Sequence, residues 1–279
     1  KLIDVAELAG VSKSNVSQYL NGRFDYMSEK TKERIKLAVS ELDYVPNPIA
    51  RSLKMDKTKT IGVIVRDITG YYTSRTIRGI DDYCKTSDYN GIFIASSGKN
   101  TALIAKYIER GLPIVHFQLE HDGNEKNIIV SDYRKAAFEA TEYLIKLGHQ
   151  RICFMTQNFK NVKSRMDRYL GYTDALNHYQ IPIEQQLIQY WQRKSGFQQP
   201  PTNILQTVNP PTAFFTQHLA ITTELLTVLN EENISIPDDV SLLGFDDIPM
   251  ADFFKVPITV ITQNPYEIGK EATKLLLNN

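Results

Sequence analysis

VAELAGVSKSNVSQYL, from Val5 to Leu20, is the stretch that decides how the beginning of the chain folds. Val5 and Ala9 lie on one face of a first helix, and Gly10 breaks the chain where a tight turn is required. Ser12 follows at a position from which its side chain caps a second helix. The stretch therefore predicts a helix, a short turn and a second helix.

The second predicted helix has one apolar face and one polar face. Val16 and Leu20 are four residues apart, so they stack on the side that packs. Lys13, Ser14 and Gln18 lie on the polar side, where they are available to a partner. An ordinary helical subdomain with a solvated polar face remains the alternative, because helix-turn-helix patterns alone give false positives.

A third helix is predicted to begin after Ser28, which is placed to cap it. Residues 1–60 hold 11 Lys and Arg against 8 Asp and Glu, whereas the whole chain holds 32 of each. This small positive excess suits a phosphate-contacting head that precedes a neutral to acidic body, although it decides nothing alone. The apolar stripe predicted for the third helix comprises Ile35, Ala38, Val39 and Leu42.

Short apolar segments alternate with amphipathic segments through the rest of the chain. This alternation predicts a doubly wound parallel α/β sheet, whose ligands bind beyond the carboxyl ends of the strands. The predicted strands are residues 61–65, 91–96, 113–117, 151–156, 213–217 and 240–245, and the predicted helices between them include residues 133–147, 166–178 and 220–232.

The pattern divides the chain into three parts. Residues 1–45 are predicted to form a helix-turn-helix domain, and residues 46–59 a connector rich in Pro and Lys. Residues 60–279 are predicted to form the α/β body, which is long enough for two small domains or one large one.

Segments along nearly the whole chain resemble signature segments of the LacI/GalR family of bacterial transcriptional regulators. The resemblance implies a DNA-binding head and a body of two similar subdomains, like periplasmic sugar-binding proteins, with an effector between them. A weaker likeness in residues 18–31 points to the subgroup that regulates sugar-acid catabolism. The segments are DVAELAGVS (4–12), SQYLNG (17–22), SEKTKERI (28–35), ELDYVPNPIARSLK (41–54), TIGVIV (60–65), LIKLGHQRI (144–152), RYLGYTDAL (168–176), ISIPDDVSLLGFDD (234–247) and ITVITQ (258–263).

For the head, the resemblance implies that Lys13, Ser14 and Gln18 read base edges in the major groove. The amide of Gln18 matches adenine and the ammonium group of Lys13 matches guanine. The resemblance further implies phosphate contacts that fix the register on DNA, made by Asn15, Ser17, Asn21, Ser28 and Asn47.

The connector at residues 46–59 resembles a hinge helix that forms on operator DNA. Within it, Leu53 matches a leucine that wedges into the minor groove, and Ala50 lies beside it. Taken alone, Leu53 would more often be an ordinary linker residue, so its role depends on the resemblance.

For the body, the resemblance implies an effector site. Arg168 would bind sugar hydroxyls or a carboxylate, Asp246 would accept hydroxyl hydrogen bonds, and Trp191 would stack on the ligand. Because Arg168 and Asp246 both lie at predicted strand ends, a ligand touching both is expected to bridge the two subdomains. Purely structural roles remain the alternatives for these predicted effector residues, such as capping a helix or packing between the two subdomains. The complete predicted effector set is Asp67, Tyr71, Tyr72, Arg168, Trp191, Gln217 and Asp246.

Three departures from the family pattern bear on the ligand and on the body. Gln217 with His218 replaces an Asn-Asp pair, and Phe117 with Gln118 replaces an Asp-Arg pair. Losing two carboxylates from the pocket rim favours an anionic ligand. Between Asn90 and Gly91 the chain also omits a strand and helix that the family has, either by a true deletion or because a segment is missing from the sequence; a final strand after residue 279 is expected as well.

Enzyme motifs are absent from the sequence, so no catalytic residue, metal ligand or cofactor is predicted. Cys84 and Cys153 belong to no redox motif, and no apolar stretch is long enough to span a membrane. We therefore predict a cytoplasmic homodimeric repressor of carbohydrate or sugar-acid genes. Its partners would be a pseudo-palindromic operator and a sugar, sugar acid or sugar phosphate. The alternative is a soluble sugar-binding receptor without a DNA-binding role, but such a receptor has no reason to carry residues 1–53.

Overall fold

A computed structural model describes most of the chain. The chain divides into two compact units, Lys1–Thr60 and Ile61–Asn279, here called the head and the body. The described residues are 1–25, 27–45, 61–63, 65, 68–87, 106, 109, 113–117, 127–160, 162–248 and 256–278.

The head contains three helices, α1 (Leu2–Ala9), α2 (Lys13–Leu20) and α3 (Glu29–Glu41). The turn after α1 depends on Gly10, whose φ of 59° is a left-handed conformation that glycine adopts without a side-chain clash. Arg34 Nη2 on α3 donates a hydrogen bond to the Gly10 carbonyl at 3.0 Å, which ties the turn to α3.

Side-chain caps begin α2 and α3, as predicted. Ser12 Oγ accepts a hydrogen bond from the Asn15 amide, and Ser28 Oγ accepts one from the Thr31 amide, each at 3.2 Å. These caps satisfy amides that would otherwise have no partner within the helix. Leu42 is 42% exposed rather than part of the apolar stripe, because it lies at the end of α3. The buried head core consists of Val5, Ala6, Ala9, Val16, Ile35 and Ala38.

A six-stranded sheet forms the centre of what we call the second half of the body. Its strand order is β5-β4-β3-β6-β7-β8, and all neighbouring strands are parallel except β4 and β5. The predicted strands at 151–156, 213–217 and 240–245 are confirmed with slightly shorter bounds. The strands are β3 (Ile152–Thr156), β4 (Ile188–Gln192), β5 (Gly196–Phe197), β6 (Ala213–Thr216), β7 (Ser241–Phe245) and β8 (Thr259–Ile261).

Helices cover both faces of this sheet, as a doubly wound fold requires. Successive residues of β3 point to opposite faces, so Phe154 packs in the cluster that includes Tyr172, and Cys153 packs in the cluster that includes Leu225. A short 3-10 turn, Gln185–Leu187, precedes β4. The helices of this half are α5 (Tyr133–Lys146), α6 (Lys163–His178), α7 (Pro201–Leu205) and α8 (Leu219–Glu231).

The remaining described elements of the body pack together and form what we call the first half. They are α4 (Tyr71–Thr86), the parallel pair β1 (His116–Phe117) and β2 (Ile128–Ile129), and α9 (Pro265–Leu277). Helices α4 and α9 approach so closely that a Cβ at Gly79 would collide with the Tyr266 carbonyl. The buried core of this half contains Ile61, Ile80, Cys84, Val115, Phe117 and Ala272.

The strands predicted for the first half agree less well with the structure. The described residues of 61–65 carry no strand, although Ile61 is buried, and only the last two residues of 113–117 belong to β1. A strand requires a neighbouring strand for its ladder, and apolar composition alone does not supply one. The predicted strand at 91–96 and the Asn90–Gly91 junction lie outside the described residues.

Candidate nucleic-acid interface and effector site

The exposed face of α2 carries the predicted base-reading residues. Lys13, Ser14 and Gln18 are all exposed, whereas Val16 on the opposite side is fully buried in the head core. The helical period therefore separates a packing face from a polar face that is free to enter a groove.

Two predicted phosphate-contacting residues have a structural role in the head. Asn21 Nδ2 donates to the Ser17 carbonyl at 2.7 Å and so stabilises the end of α2. Ser28 caps α3 and is within 2.9 Å of Thr31 Oγ1. Asn15 and Ser17 are partly exposed on α2, and the predicted contacts Asn47, Ala50 and Leu53 lie outside the described residues.

Arg168 is a buried cation in the second turn of α6, not at the end of a strand. Its side chain lies between two aromatic rings, with Cζ 4.2 Å from the centre of Tyr133 and 4.3 Å from that of Phe245. Nη1 donates a long hydrogen bond of 3.4 Å to the Ser164 carbonyl, but the buried Nε has no partner among the described residues. Burial lowers the pKa of Arg168, yet arginine keeps its charge in proteins.

Asp246 follows β7 with a φ of 78°, an uncommon value for a residue with a side chain. Its amide donates to the Ile261 carbonyl at 2.8 Å, and its Oδ1 accepts a hydrogen bond from Gln263 Nε2. Burial raises the pKa of this carboxyl group, while the charge of Arg168 and the Gln263 hydrogen bond oppose the rise. Asp246 therefore lies in the electrostatic field of Arg168.

Tyr72, in the first turn of α4, brings the first half of the body to this site. Its hydroxyl is buried without a hydrogen-bond partner among the described residues. Burial raises the pKa of Tyr72, and the groups that interact with it electrostatically are Tyr133, Asp246 and Arg168. Because Arg168 and Asp246 both belong to the second half, the expectation that these two residues bridge the halves is wrong. Among the predicted effector residues, Tyr72 is the one from the first half that interacts electrostatically with Arg168 and Asp246.

Gln217 is completely buried, and its amide is engaged by the protein itself. Its Oε1 accepts hydrogen bonds from Thr156 Oγ1 at 2.7 Å and from the Gln157 amide at 3.4 Å. Its Nε2 donates to the Arg165 carbonyl at 3.1 Å. The structure thus places this predicted effector residue between the end of β3 and the start of α6, where it holds the helix that carries Arg168.

Trp191 is placed beneath α8, on the other face of the sheet from Tyr133 and Tyr172. It is 3% exposed, and its Nε1 donates to Glu224 Oε2 at 2.6 Å. The structure does not bring this predicted stacking residue to the Arg168 site.

His218 lies edge-on to Trp191, with ring centres 5.5 Å apart. Burial, and then the charges of Arg168, Arg165 and Arg193, lower the pKa of His218 to about 3, so it is neutral at pH 7. Its Nδ1 accepts a hydrogen bond from the Ala220 amide, which leaves Nε2 to donate to Gln157 Oε1 at 3.1 Å.

Tyr71 and Asp67 are the two remaining predicted effector residues. Tyr71 is partly exposed at the start of α4, with Arg75 Cζ 5.8 Å from its ring centre. Asp67 lies outside the described residues. Tyr133, Phe245 and Gln263 belong to the site but were not predicted. Phe245 ends the predicted strand 240–245 and Gln263 ends the quoted segment ITVITQ, so both were within reach of the sequence, whereas nothing in the sequence distinguished Tyr133.

Both the head and the body are similar to known protein families. Residues 1–47 match the family of bacterial regulatory proteins named lacI, and residues 141–279 match a periplasmic binding protein-like domain. The probable HTH-type transcriptional regulator EndR of Paenibacillus polymyxa is 32% identical over 98% of this chain and 88% of its own length. The chain belongs to the lacI family.

Solved structures of this family share the fold. The Lac repressor dimer bound to operator and the anti-inducer ONPF has a TM-score of 0.79 and 22% identity, covering 100% of this chain and 92% of the repressor. A LacI family regulator from Enterococcus faecium with bound ribose has a TM-score of 0.68 and 28% identity, covering 78% and 89% of the two chains. The predicted fold class, a helix-turn-helix head on a parallel α/β body, is confirmed.

Membership of the lacI family also decides between the classes of function considered from the sequence. The chain is a DNA-binding transcriptional regulator and not an enzyme. Within the described residues, no cluster of three His, Cys, Asp or Glu side chains is arranged to hold a metal ion. None of the described helices has both the length and the apolar character of a membrane span.

Proposed function

We propose that this regulator is a repressor that binds a pseudo-palindromic operator as a homodimer in the cytoplasm. The supporting observation is the exposed polar face of α2, where Lys13, Ser14 and Gln18 have no packing role. One such helix contacts too few base pairs for useful specificity, so two heads related by a two-fold axis are required. Asn15, Ser17, Asn21 and Ser28 would then contact phosphates.

The proposed effector is a small carbohydrate that binds where Tyr72, Arg168 and Asp246 converge. The observation that supports this site is that two buried polar atoms here, Tyr72 Oη and Arg168 Nε, have no partner among the described residues. Leaving such groups unsatisfied costs about 1–3 kcal/mol each, and a bound ligand would remove that cost. Sugar hydroxyls match both the tyrosine hydroxyl and the aspartate, and the E. faecium relative was crystallised with ribose.

Within this class, a sugar acid is favoured over a neutral sugar. The guanidinium of Arg168 is buried, and its contacts among the described residues are the Ser164 carbonyl and the rings of Tyr133 and Phe245 rather than a carboxylate. Arg165 and Arg193 add positive charge, since both help to lower the pKa of His218. A carboxylate is the planar anion that a guanidinium binds through two hydrogen bonds.

A thermal-shift screen against sugars, sugar acids and sugar phosphates tests this proposal. A ligand at 100 times its dissociation constant adds about 2.7 kcal/mol to the free energy of unfolding. We expect stabilisation by sugar acids that is lost in Asp246→Ala and in Arg168→Lys. Ser195→Ala, which changes an exposed serine remote from these contacts, is the matched control. Equal stabilisation of both site variants would show that the ligand binds elsewhere.

DNA titrations with the ligand from that screen test the regulatory step. Asp246→Ala is expected to bind operator almost as well as the unchanged protein, but its affinity should no longer respond to ligand. Effectors in such systems typically change DNA affinity by about 1–3 kcal/mol. A normal response of the variant would make Asp246 a structural residue.

A further inference from the structure

Among the residues that the structure describes, two segments carry the chain from one half of the body to the other. The first lies between β2 and α5 and contains Ser131. The second lies between β8 and α9 and contains Gln263. We call these the first and second crossover segments.

A single side-chain amide connects the two crossover segments with Asp246. Ser131 Oγ donates a hydrogen bond to Gln263 Oε1 at 3.2 Å. The same amide donates from Nε2 to Asp246 Oδ1. The residues thus form a hydrogen-bonded chain that runs from the first crossover through the second to the end of β7.

The order of donors and acceptors fixes the orientation of this amide. A carboxylate only accepts hydrogen bonds, so the NH₂ group of Gln263 must face Asp246 and its oxygen must face Ser131. The reverse orientation would place the amide oxygen against the carboxylate. The carboxylate therefore fixes the orientation of the amide, and the serine hydroxyl, which can donate or accept, donates to the amide oxygen that faces it.

The backbone of Asp246 also depends on the second crossover segment. Its left-handed conformation, with a φ of 78°, is uncommon for a non-glycine residue and persists only where the surroundings impose it. The Asp246 amide is held by the Ile261 carbonyl at 2.8 Å, two residues before Gln263. Main chain and side chain of Asp246 are thus both held from the same segment.

We propose that Gln263 is the positioning residue for the Asp246 carboxylate, and that Ser131 anchors the side chain of Gln263 by donating to its amide oxygen. The place of this carboxylate then depends on both crossover segments at once. A ligand that binds Asp246 therefore acts on a set of hydrogen bonds that extends to both crossover segments. The effector role of Asp246 rests on the proposed function, whereas the positioning chain does not.

Hydrogen exchange of the full chain without ligand tests the positioning chain. Ser131→Ala is expected to speed exchange about fivefold in peptides that cover residues 127–136 and also in those that cover 258–268, as the loss of one hydrogen bond would. Ser131→Thr keeps the hydroxyl and should behave like the unchanged protein. Ser195→Ala is the matched control, because its exposed side chain belongs to neither segment.

The second segment is the decisive one, because it lies more than a hundred residues from the substitution. A purely local role of Ser131 would change residues 127–136 alone, and that result would overturn the proposal. Gln263→Leu should produce the same change in both segments, and adding Ser131→Ala to it should have no further effect. Additive effects of the two substitutions would also contradict the proposal.

These measurements are separate from the ligand screen. If no sugar acid stabilises the protein but Ser131→Ala alters both segments, the effector proposal fails and the positioning role stands. If a sugar acid binds through Asp246 but the second segment does not respond to Ser131→Ala, the effector proposal stands and the positioning role fails.

Discussion

The head and the body of this regulator place their candidate functional side chains in opposite ways. In the head, Lys13, Ser14 and Gln18 come from a single turn and a half of one helix and are exposed. In the body, Tyr72, Arg168 and Asp246 come from separate elements and converge in a buried environment. The head surface is therefore a local property of the chain, whereas the body site is a product of packing.

This difference has an energetic consequence. Exposed polar side chains on α2 remain solvated in the free protein, so they cost little stability. Within the described part of the chain, Arg168 Nε and the hydroxyl of Tyr72 each lack a hydrogen bond that water would supply. We expect substitutions in the body site to alter stability, and substitutions on α2 to alter DNA binding alone.

Phe245→Ala should produce the largest change in stability and so tests the difference between head and body most strongly. Phe245 is fully buried and forms one side of the aromatic pair around Arg168. Its truncation is expected to lower the free energy of unfolding of the body by about 3–5 kcal/mol. Trp191, the only tryptophan, lies in the body, so denaturant unfolding followed by its fluorescence reports on that unit. A loss below about 1 kcal/mol would mean that the aromatic pair does not belong to a packed core.

Gln18→Ala should weaken operator binding by about 1–3 kcal/mol and relax the preference at one base pair of each half-site. The operator is obtained by selection from random duplexes, and affinities are measured at one salt concentration. Unfolding followed by Trp191 should not change. An equal loss of affinity for operator and random DNA would contradict base reading by Gln18.

The stability of the body should fall on acidification because of His218. Its pKa is about 3 in the folded protein against 6.5 for the free side chain, so the unfolded chain binds a proton first. The stabilisation is complete above pH 6.5 and is lost as the pH falls towards 3, amounting to about 2 kcal/mol lost at pH 5.

His218→Asn should abolish this slope between pH 5 and pH 7 when unfolding is followed by Trp191 fluorescence. His178→Asn, a change at an exposed histidine, is the control and should retain the slope. A His218→Asn protein with the original slope would assign the pH dependence to other groups.

Among the substitutions in the body, Arg168→Met should have the smallest effect on stability and the clearest effect on function. The methionine fills the space between Tyr133 and Phe245 without a buried charge, so the free energy of unfolding should rise by about 1 kcal/mol or stay unchanged. Effector response should disappear. A destabilisation of 3 kcal/mol or more would mean that Arg168 is fully paired in the folded protein.

Much of the fold was predictable from local patterns. Ser12 and Ser28 cap their helices, Gly10 turns the chain, and β3, β6 and β7 lie where apolar runs indicated them. The structure of residues 61–65 was harder to predict. A strand forms only when it pairs with a neighbouring strand, and the local sequence does not identify that neighbour.

The candidate site was predictable only in part. Arg168 and Asp246 were named from the resemblance, and both converge with Tyr72. Their assignment to different halves was wrong, because position along the chain does not reveal which half a helix packs on. Effector binding by these residues and DNA contact by α2 stay predictions until the variants are measured.

The sequence by itself determined the helix-turn-helix, the parallel α/β body and the separation of polar and apolar faces on α2. These features depend on caps, turns and periods that extend over a few residues. Only the tertiary structure decided which polar side chains were used internally and which were left without partners. Gln217 and Trp191 have hydrogen-bond partners in distant elements, whereas Arg168 Nε and Tyr72 Oη have none among the residues that the structure describes. Hydrogen bonds between elements depend on packing that no local pattern encodes.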